Sequence, residues 1–248
     1  GIAETEVDQT FFNPGERVQG TTTPLYALLM AGVSFATEDL LHAGNLVSAA
    51  SLALTALLGV RLLRPYVSPL AQWALALLLL STPLVYISFG METLFYSALL
   101  TMTLLLWARD RRALAMLGAA ALTWTRADGV TLGAVLLGAA LGDGLPAQGG
   151  AGWARLGLLR KLGALAAVYL LGIAPWFVFA HFYFGTALPQ TFSAKQEFLG
   201  GTTFLTEGAV WWRSLYAYAP TGLITLLAVP LVGVGAFSAA RERGLRPL

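Results

Sequence analysis

The chain has 248 residues, of which 57% are hydrophobic and 11% charged, against roughly 25% charged in an average soluble domain. That balance excludes an ordinary water-soluble domain, and it makes lipid or other helices the solvent for most of the chain. A formal charge of +2, with basic residues placed beside apolar runs, argues against a nucleic-acid partner. The absence of cysteine excludes disulfides, thiolate chemistry and cysteine-ligated metals, and two histidines, His42 and His181, are too few for a histidine-rich metal site.

Residues 1–20 are polar and acidic, with no basic stretch leading into an apolar one, so they do not read as a signal peptide. A start at Gly1 reads as an internal piece of a longer protein. Pro24–Ala36 is apolar but too short to cross a bilayer, which takes about 20 residues. Ala43–Leu63 and Leu70–Phe89 have the length and composition of spans, and Leu94–Ala108 is shorter but strongly apolar. Ala113–Thr125 and Val130–Leu141 are shorter again and flank the polar tetrad Arg126-Ala127-Asp128-Gly129. They read either as two short tilted spans or as one re-entrant hairpin. Residues 142–152 are glycine-rich, and Trp153–Lys161 reads as a basic amphipathic segment or a plain topogenic loop. Lys161–Phe184 is a further span, residues 185–219 form a polar loop with Trp211, Trp212, Tyr216 and Tyr218 as an interfacial belt, and Pro220–Ser238 is the last span.

The expected fold is all-α, a polytopic transmembrane helical bundle built as a single transmembrane domain over 1–248. Residues 1–43 hold the end of an outer loop and an interfacial helix, 44–184 the helices with short loops, 185–219 the outer loop, and 220–248 the last span with a basic cytoplasmic end. Eleven of the fifteen basic residues cluster at 61–64, 109–112, 155–161 and 241–246. The positive-inside preference puts all four clusters in the cytoplasm. Glu92, Arg126, Asp128 and Lys195 then lie on the far side, and isolated charges at one face of a membrane protein point to a functional site there.

Glu92 opens a helix, where a carboxylate is favoured by the macrodipole, or else serves as an acidic contact or metal ligand of an outer site. Asp128 can cap the helix near Gly129, and Arg126 can pair with Asp128 or Glu92, or hold a phosphate through its planar fork. Gln190, Thr191, Ser193 and Lys195 offer donors for sugar hydroxyls and phosphate oxygens. There is no nucleophile elbow, phosphate-binding glycine loop or zinc-protease motif.

Four segments together carry a resemblance. Phe12-Asn13-Pro14-Gly15-Glu16-Arg17-Val18-Gln19-Gly20, running into Thr-Thr-Thr-Pro-Leu-Tyr, resembles the end of the first outer loop of bacterial GT-C-type glycosyltransferases, most closely the arabinofuranosyltransferase-like branch. Gly90-Met91-Glu92-Thr93 looks like that family's G-x-E-T element, and Thr125-Arg126-Ala127-Asp128-Gly129 like its T-R-P-[DE]-G, with Ala127 in place of the proline. Tyr183-Phe184-Gly185 through Lys195 is similar to its Y-[YF]-G-x-x-x-P-[NQ]-[TS]-[FY]-x-A-K.

The resemblance implies a GT-C-like membrane enzyme of the bacterial inner (plasma) membrane, acting on the extracytoplasmic side. Its partners would be a polyprenyl-phosphate sugar donor, a glycan, lipid or protein acceptor of the cell envelope, and the bilayer itself. The family's acidic catalytic pair lies upstream of the first motif and has no match in Glu4, Glu6 or Asp8, so the catalytic residues are expected upstream of Gly1. Substrate-binding residues would be Glu92, Arg126, Asp128, Gln190 and Lys195, with Glu92 also the candidate ligand for a divalent metal such as Mg or Mn. The alternatives are a non-catalytic envelope or flagellar assembly protein of the same fold, or a transporter of lipid-linked saccharides. The transporter predicts charges near mid-membrane and paired broken helices, and the sequence offers neither.

Overall fold

The computed structural model describes residues 19–37, 39–144 and 152–187. The chain divides into two compact units, Gly1–Phe192 and Ser193–Leu248, and every described residue belongs to the first. Among the described residues the structure is wholly helical: α1 Pro24–Thr37, α2 Leu40–Leu63, α3 Pro69–Ser81, α4 Pro83–Ile87, α5 Glu92–Ala108, α6 Arg112–Thr125, α7 Gly129–Gly144 and α8 Gly152–Phe184. The last span, the aromatic belt at 211–218 and the fourth basic cluster lie outside the described residues.

Local chemistry sets the ends. Asp39 precedes α2, and its Oδ1 accepts the amides of Leu41 at 2.7 Å and His42 at 3.4 Å, satisfying donors that no helical carbonyl can reach. Its Oδ2 lies 2.6 Å from His42 Nδ1. These contacts, led by His42, hold the Asp39 carboxyl below its ordinary range. α3 and α4 each open on a proline, Pro69 and Pro83, whose missing N–H costs nothing at a first turn.

Pro83 also breaks the span expected over Leu70–Phe89. Proline pushes the residue before it out of the helical region, and Thr82 is extended at φ −72°, ψ 120°. The loose ends are tied locally: Thr82 Oγ1 donates to the Leu78 carbonyl at 2.7 Å and the Tyr86 hydroxyl to that of Leu80 at 2.8 Å. A second difference lies at α8. The basic segment 153–161 and the span that follows form one helix of 33 residues that keeps Pro175 in its interior. Trp124 on α6 donates to the Ile173 carbonyl in the turn ahead of that proline, at 3.3 Å.

Packing runs α2 on α5, α5 on α6, and α6 on both α7 and α8, with α1 against α2 and α6, and α3 against α2. Small residues permit the close approach. A Cβ on Gly118 would run into Thr103 of α5, and one on Gly172 would lie 2.7 Å from Ala120 Cβ. The main core gathers Ala115, Met116, Ala119, Leu136, Leu165 and Tyr169, and a second cluster joins Tyr26, Met30, Ala43 and Val47.

Charged contacts segregate to the two ends of this bundle. At one, Arg112 Nε donates to Asp110 Oδ1 at 2.7 Å and Nη2 to Asp143 Oδ2 at 3.0 Å, while its guanidinium sits 4.9 Å from the centre of the Trp107 ring. One arginine thereby joins the end of α5, the start of α6 and the end of α7, so α6 and α7 form a hairpin whose ends return to the same side. Its tip is the turn at Arg126–Asp128.

Two helical stretches, Leu40–Leu63 and Leu156–Phe184, are long and apolar enough to cross a membrane. Only 28% and 11% of their most apolar windows are buried inside the protein, whereas the core helix of a soluble domain would be mostly covered. Side chains such as Phe35, Leu70, Leu171 and Phe182 stand outward, each more than 70% exposed.

Candidate functional site

The far end of the bundle brings together two segments 34 residues apart. Gly90 ends the α4–α5 turn at φ +80°, a backbone state that glycine enters without the clash a Cβ would bring. Both of its peptide groups are held by other helices. Ser48 Oγ on α2 accepts the Gly90 amide at 2.9 Å, and the Tyr26 hydroxyl on α1 donates to the Gly90 carbonyl at 3.0 Å. Gly44 of α2 completes the clamp, its hypothetical Cβ lying 3.3 Å from Gly90 Cα. Glu92 follows in the first turn of α5 and inherits a fixed position.

Arg126 leaves α6 in an extended conformation, with its amide still donating to the Leu122 carbonyl at 2.8 Å. Its side chain lies between two acids. Nη1 donates to Glu92 Oε1 at 3.2 Å and Nε to Asp128 Oδ1 at 3.3 Å. The guanidinium carbon lies 5.8 Å from the centre of the Tyr96 ring, within reach of a cation–π contact. The arginine is 40% exposed, Glu92 20% and Asp128 56%, so the triad opens outward and is not sealed in the core. The two candidate pairings of Arg126 therefore coexist. Asp128 engages the next helix through its main-chain carbonyl, which accepts from the Thr131 amide at 3.1 Å and from Thr131 Oγ1 at 2.6 Å, while its carboxylate turns to the arginine.

Gly129 makes this turn tight. A Cβ there would overlap the backbone of α6 at Leu122 and Thr123, so only glycine lets α7 start against α6 with Arg126 and Asp128 at the tip. Beside the tip lies a cavity of about 260 Å³ that includes Gln19, Thr22, Thr123, Ala127, Tyr169 and Trp176 in its wall.

Three of the five sequence-derived site residues, Glu92, Arg126 and Asp128, converge here. Gln190 and Lys195 lie outside the described residues. Among the described residues no group of three histidines, aspartates or glutamates is placed to hold a metal ion. Glu92 Oε1 accepts from Arg126 Nη1 at 3.2 Å, and further ligands to a divalent cation would have to come from outside the described residues.

Sequence reasoning gave no site role to Tyr26, Ser48, Tyr96 or Gln19, although Gln19 and Tyr26 lie within the first family-like motif. Ser48, only 1% exposed, carried a signal of another kind, a hydroxyl on a buried stretch of an apolar helix that needs a partner. The clamp gives a direct expectation. Tyr26→Phe removes one hydrogen bond and should cost about 0.5–1.5 kcal/mol of stability, read as a lowered Tm. Because the Gly90 turn carries Glu92, the same variant should weaken any activity that depends on Glu92. An unchanged Tm and activity would remove Tyr26 from the clamp.

Comparison with protein families, characterised proteins and solved structures finds no match to this chain.

Proposed function

We propose that the chain belongs to a polytopic membrane glycosyltransferase of the GT-C type that moves a sugar from a polyprenyl-phosphate donor to a cell-envelope glycan, lipid or protein acceptor on the extracytoplasmic face of a bacterial inner membrane. The observation that carries this reading is the convergence of Glu92, Arg126 and Asp128. They come from two separate motifs of the family resemblance and meet at one end of the bundle, with Arg126 directed between the acids. Two long helices with outward apolar faces, and ion pairs at opposite ends of the described bundle, support the membrane placement.

A polyprenyl-phosphate sugar carries its own leaving group. Displacement at the anomeric carbon needs a base for the acceptor hydroxyl and a cation beside the departing phosphate. Arg126 supplies the cation. With Nε and Nη1 on carboxylates, its Nη2 edge is the one to meet a phosphate oxygen. Glu92 and Asp128 orient the guanidinium and hold its fork in place, which lowers the ordering cost of binding. The base belongs to the acidic pair that the family carries upstream of the first motif. Lys195 and Gln190 complete the donor contacts in this reading.

The membrane placement has a clean test, because these 248 residues contain no cysteine and an introduced thiol has no competitor among them. Met91→Cys and Asp110→Cys sit at opposite ends of α5, at residues 51% and 84% exposed. In intact spheroplasts an impermeant maleimide should label Cys at 91 and leave Cys at 110 unlabelled until the membrane is opened. Labelling of both from outside would defeat the proposed topology, and with it the extracytoplasmic active site.

A further inference from the structure

The cavity beside the α6–α7 tip contains an unexplained polar group. Gln19 is 1% exposed, and among the described residues neither its Oε1 nor its Nε2 has a hydrogen-bond partner. Buried amides are almost always paired, and an unpaired one is costly. Gln19 forms part of the cavity wall, and about 260 Å³ is far more room than one water takes up.

The remaining wall narrows what could meet that amide. Among the described residues no charged side chain lines the cavity, which favours a neutral occupant. Proton accounting fixes a second polar point. Thr123 Oγ1 donates its single hydrogen to the Ala119 carbonyl at 3.0 Å, so in the 2.9 Å contact between Thr123 and the Tyr169 hydroxyl the tyrosine is the donor. The Tyr169 oxygen is then left as an acceptor. Gln19 offers both donor and acceptor, and Trp176 adds a broad apolar face.

We propose that this cavity is the seat of a single neutral sugar ring, with the Gln19 amide as its hydrogen-bond partner and Trp176 against its C–H face. A furanose or pyranose unit has hydroxyls that both donate and accept, together with apolar faces. Ordered water would satisfy the amide but not the aromatic wall. The volume lies below the roughly 300–1,000 Å³ of pockets that take drug-sized ligands, which limits the occupant to about one ring. The choice of a sugar over other neutral polyols rests on the transferase reading; the existence of the site rests on the orphaned amide.

The test uses the full chain in lipid nanodiscs with methyl α-arabinofuranoside and methyl α-mannopyranoside as probes, and inorganic phosphate as control. At least one glycoside should raise Tm and change tryptophan fluorescence saturably, phosphate should do neither, and Trp176→Phe should lose most of the fluorescence change. Gln19→Leu should raise Tm without ligand, because an unpaired polar group is replaced by an apolar one. It should also raise the half-saturating glycoside concentration at least tenfold. A merely structural glutamine would give the reverse, a fall in Tm or failure to fold on replacement by leucine, and that result overturns the proposal. So does a wild type with no saturable response to either glycoside, or a Gln19→Leu variant that binds as wild type does. Arg126→Ala should leave glycoside binding intact. If that variant and wild type bind the glycoside equally, while neither turns over a polyprenyl-phosphate sugar even in the full-length protein that carries the upstream acidic pair, the cavity stands and the transferase reading falls.

Discussion

Arg126→Ala is expected to lower kcat/KM for a polyprenyl-phosphate sugar by about 10²–10³, the loss typical when one preorganised donor to a developing charge is removed. The protein should still insert and fold. The ion pairs of Arg126 are partly exposed, and exposed pairs contribute only about 0.2–1 kcal/mol each. Arg126→Lys should recover only part of the activity, because a lysine brings a point charge without the planar fork that reaches both carboxylates and a phosphate at once. The measurement is donor consumption by membranes containing the full-length protein, beside a thermal melt of the purified variant. Wild-type turnover in Arg126→Ala would take this arginine out of the site.

Gly129→Ala should act through the fold rather than through charge. The added methyl would overlap the α6 backbone at Leu122, and a backbone, unlike a side-chain tip, has no rotamer to retreat to. Forced overpacking costs about 1–3 kcal/mol. Because α7 must swing away from α6 to make room, Arg126 should lose its place beside Glu92. Tm and donor turnover should therefore fall together. The neighbouring Gly138 is a control: a Cβ there meets nothing within 4 Å, so Gly138→Ala should keep both, and in a helix should be neutral or slightly stabilising. Equal behaviour of the two glycine variants would show that the α6–α7 contact is not the constraint on the tip.

The sequence revealed helices far better than partners. Runs of apolar residues and basic clusters located α2, α5, α6 and most of α8, because hydropathy and end charge are local properties. The break at Pro83 was legible too, since the missing amide and the restricted residue before proline are local rules, but the apolar composition of 70–89 masked it. At α8 the span Lys161–Phe184 was legible across Pro175, but its fusion with the basic segment before it was not, and the carbonyl contact from Trp124, 49 residues distant, is not encoded nearby. The candidate site shows the same division. Glu92, Arg126 and Asp128 stand out as isolated charges, yet whether Arg126 chose one acid or both depended on how two chain segments meet. Ser48 and Tyr26 had no visible role until the Gly90 turn was in place between them.

The α6–α7 hairpin has a consequence for depth. Its helices have 14 and 16 residues, which at 1.5 Å per residue reach about 21 and 24 Å, short of the roughly 30 Å of a bilayer's hydrocarbon core. Arg112 ties the hairpin's open end to the side of the basic loop. On the proposed topology the Arg126 tip then stops several ångströms below the opposite headgroups, and the bilayer must thin locally or admit water to reach it. Activity reconstituted in a series of phosphatidylcholines of increasing chain length should peak in the shorter lipids, so that bilayer thickness becomes a control on access to the arginine.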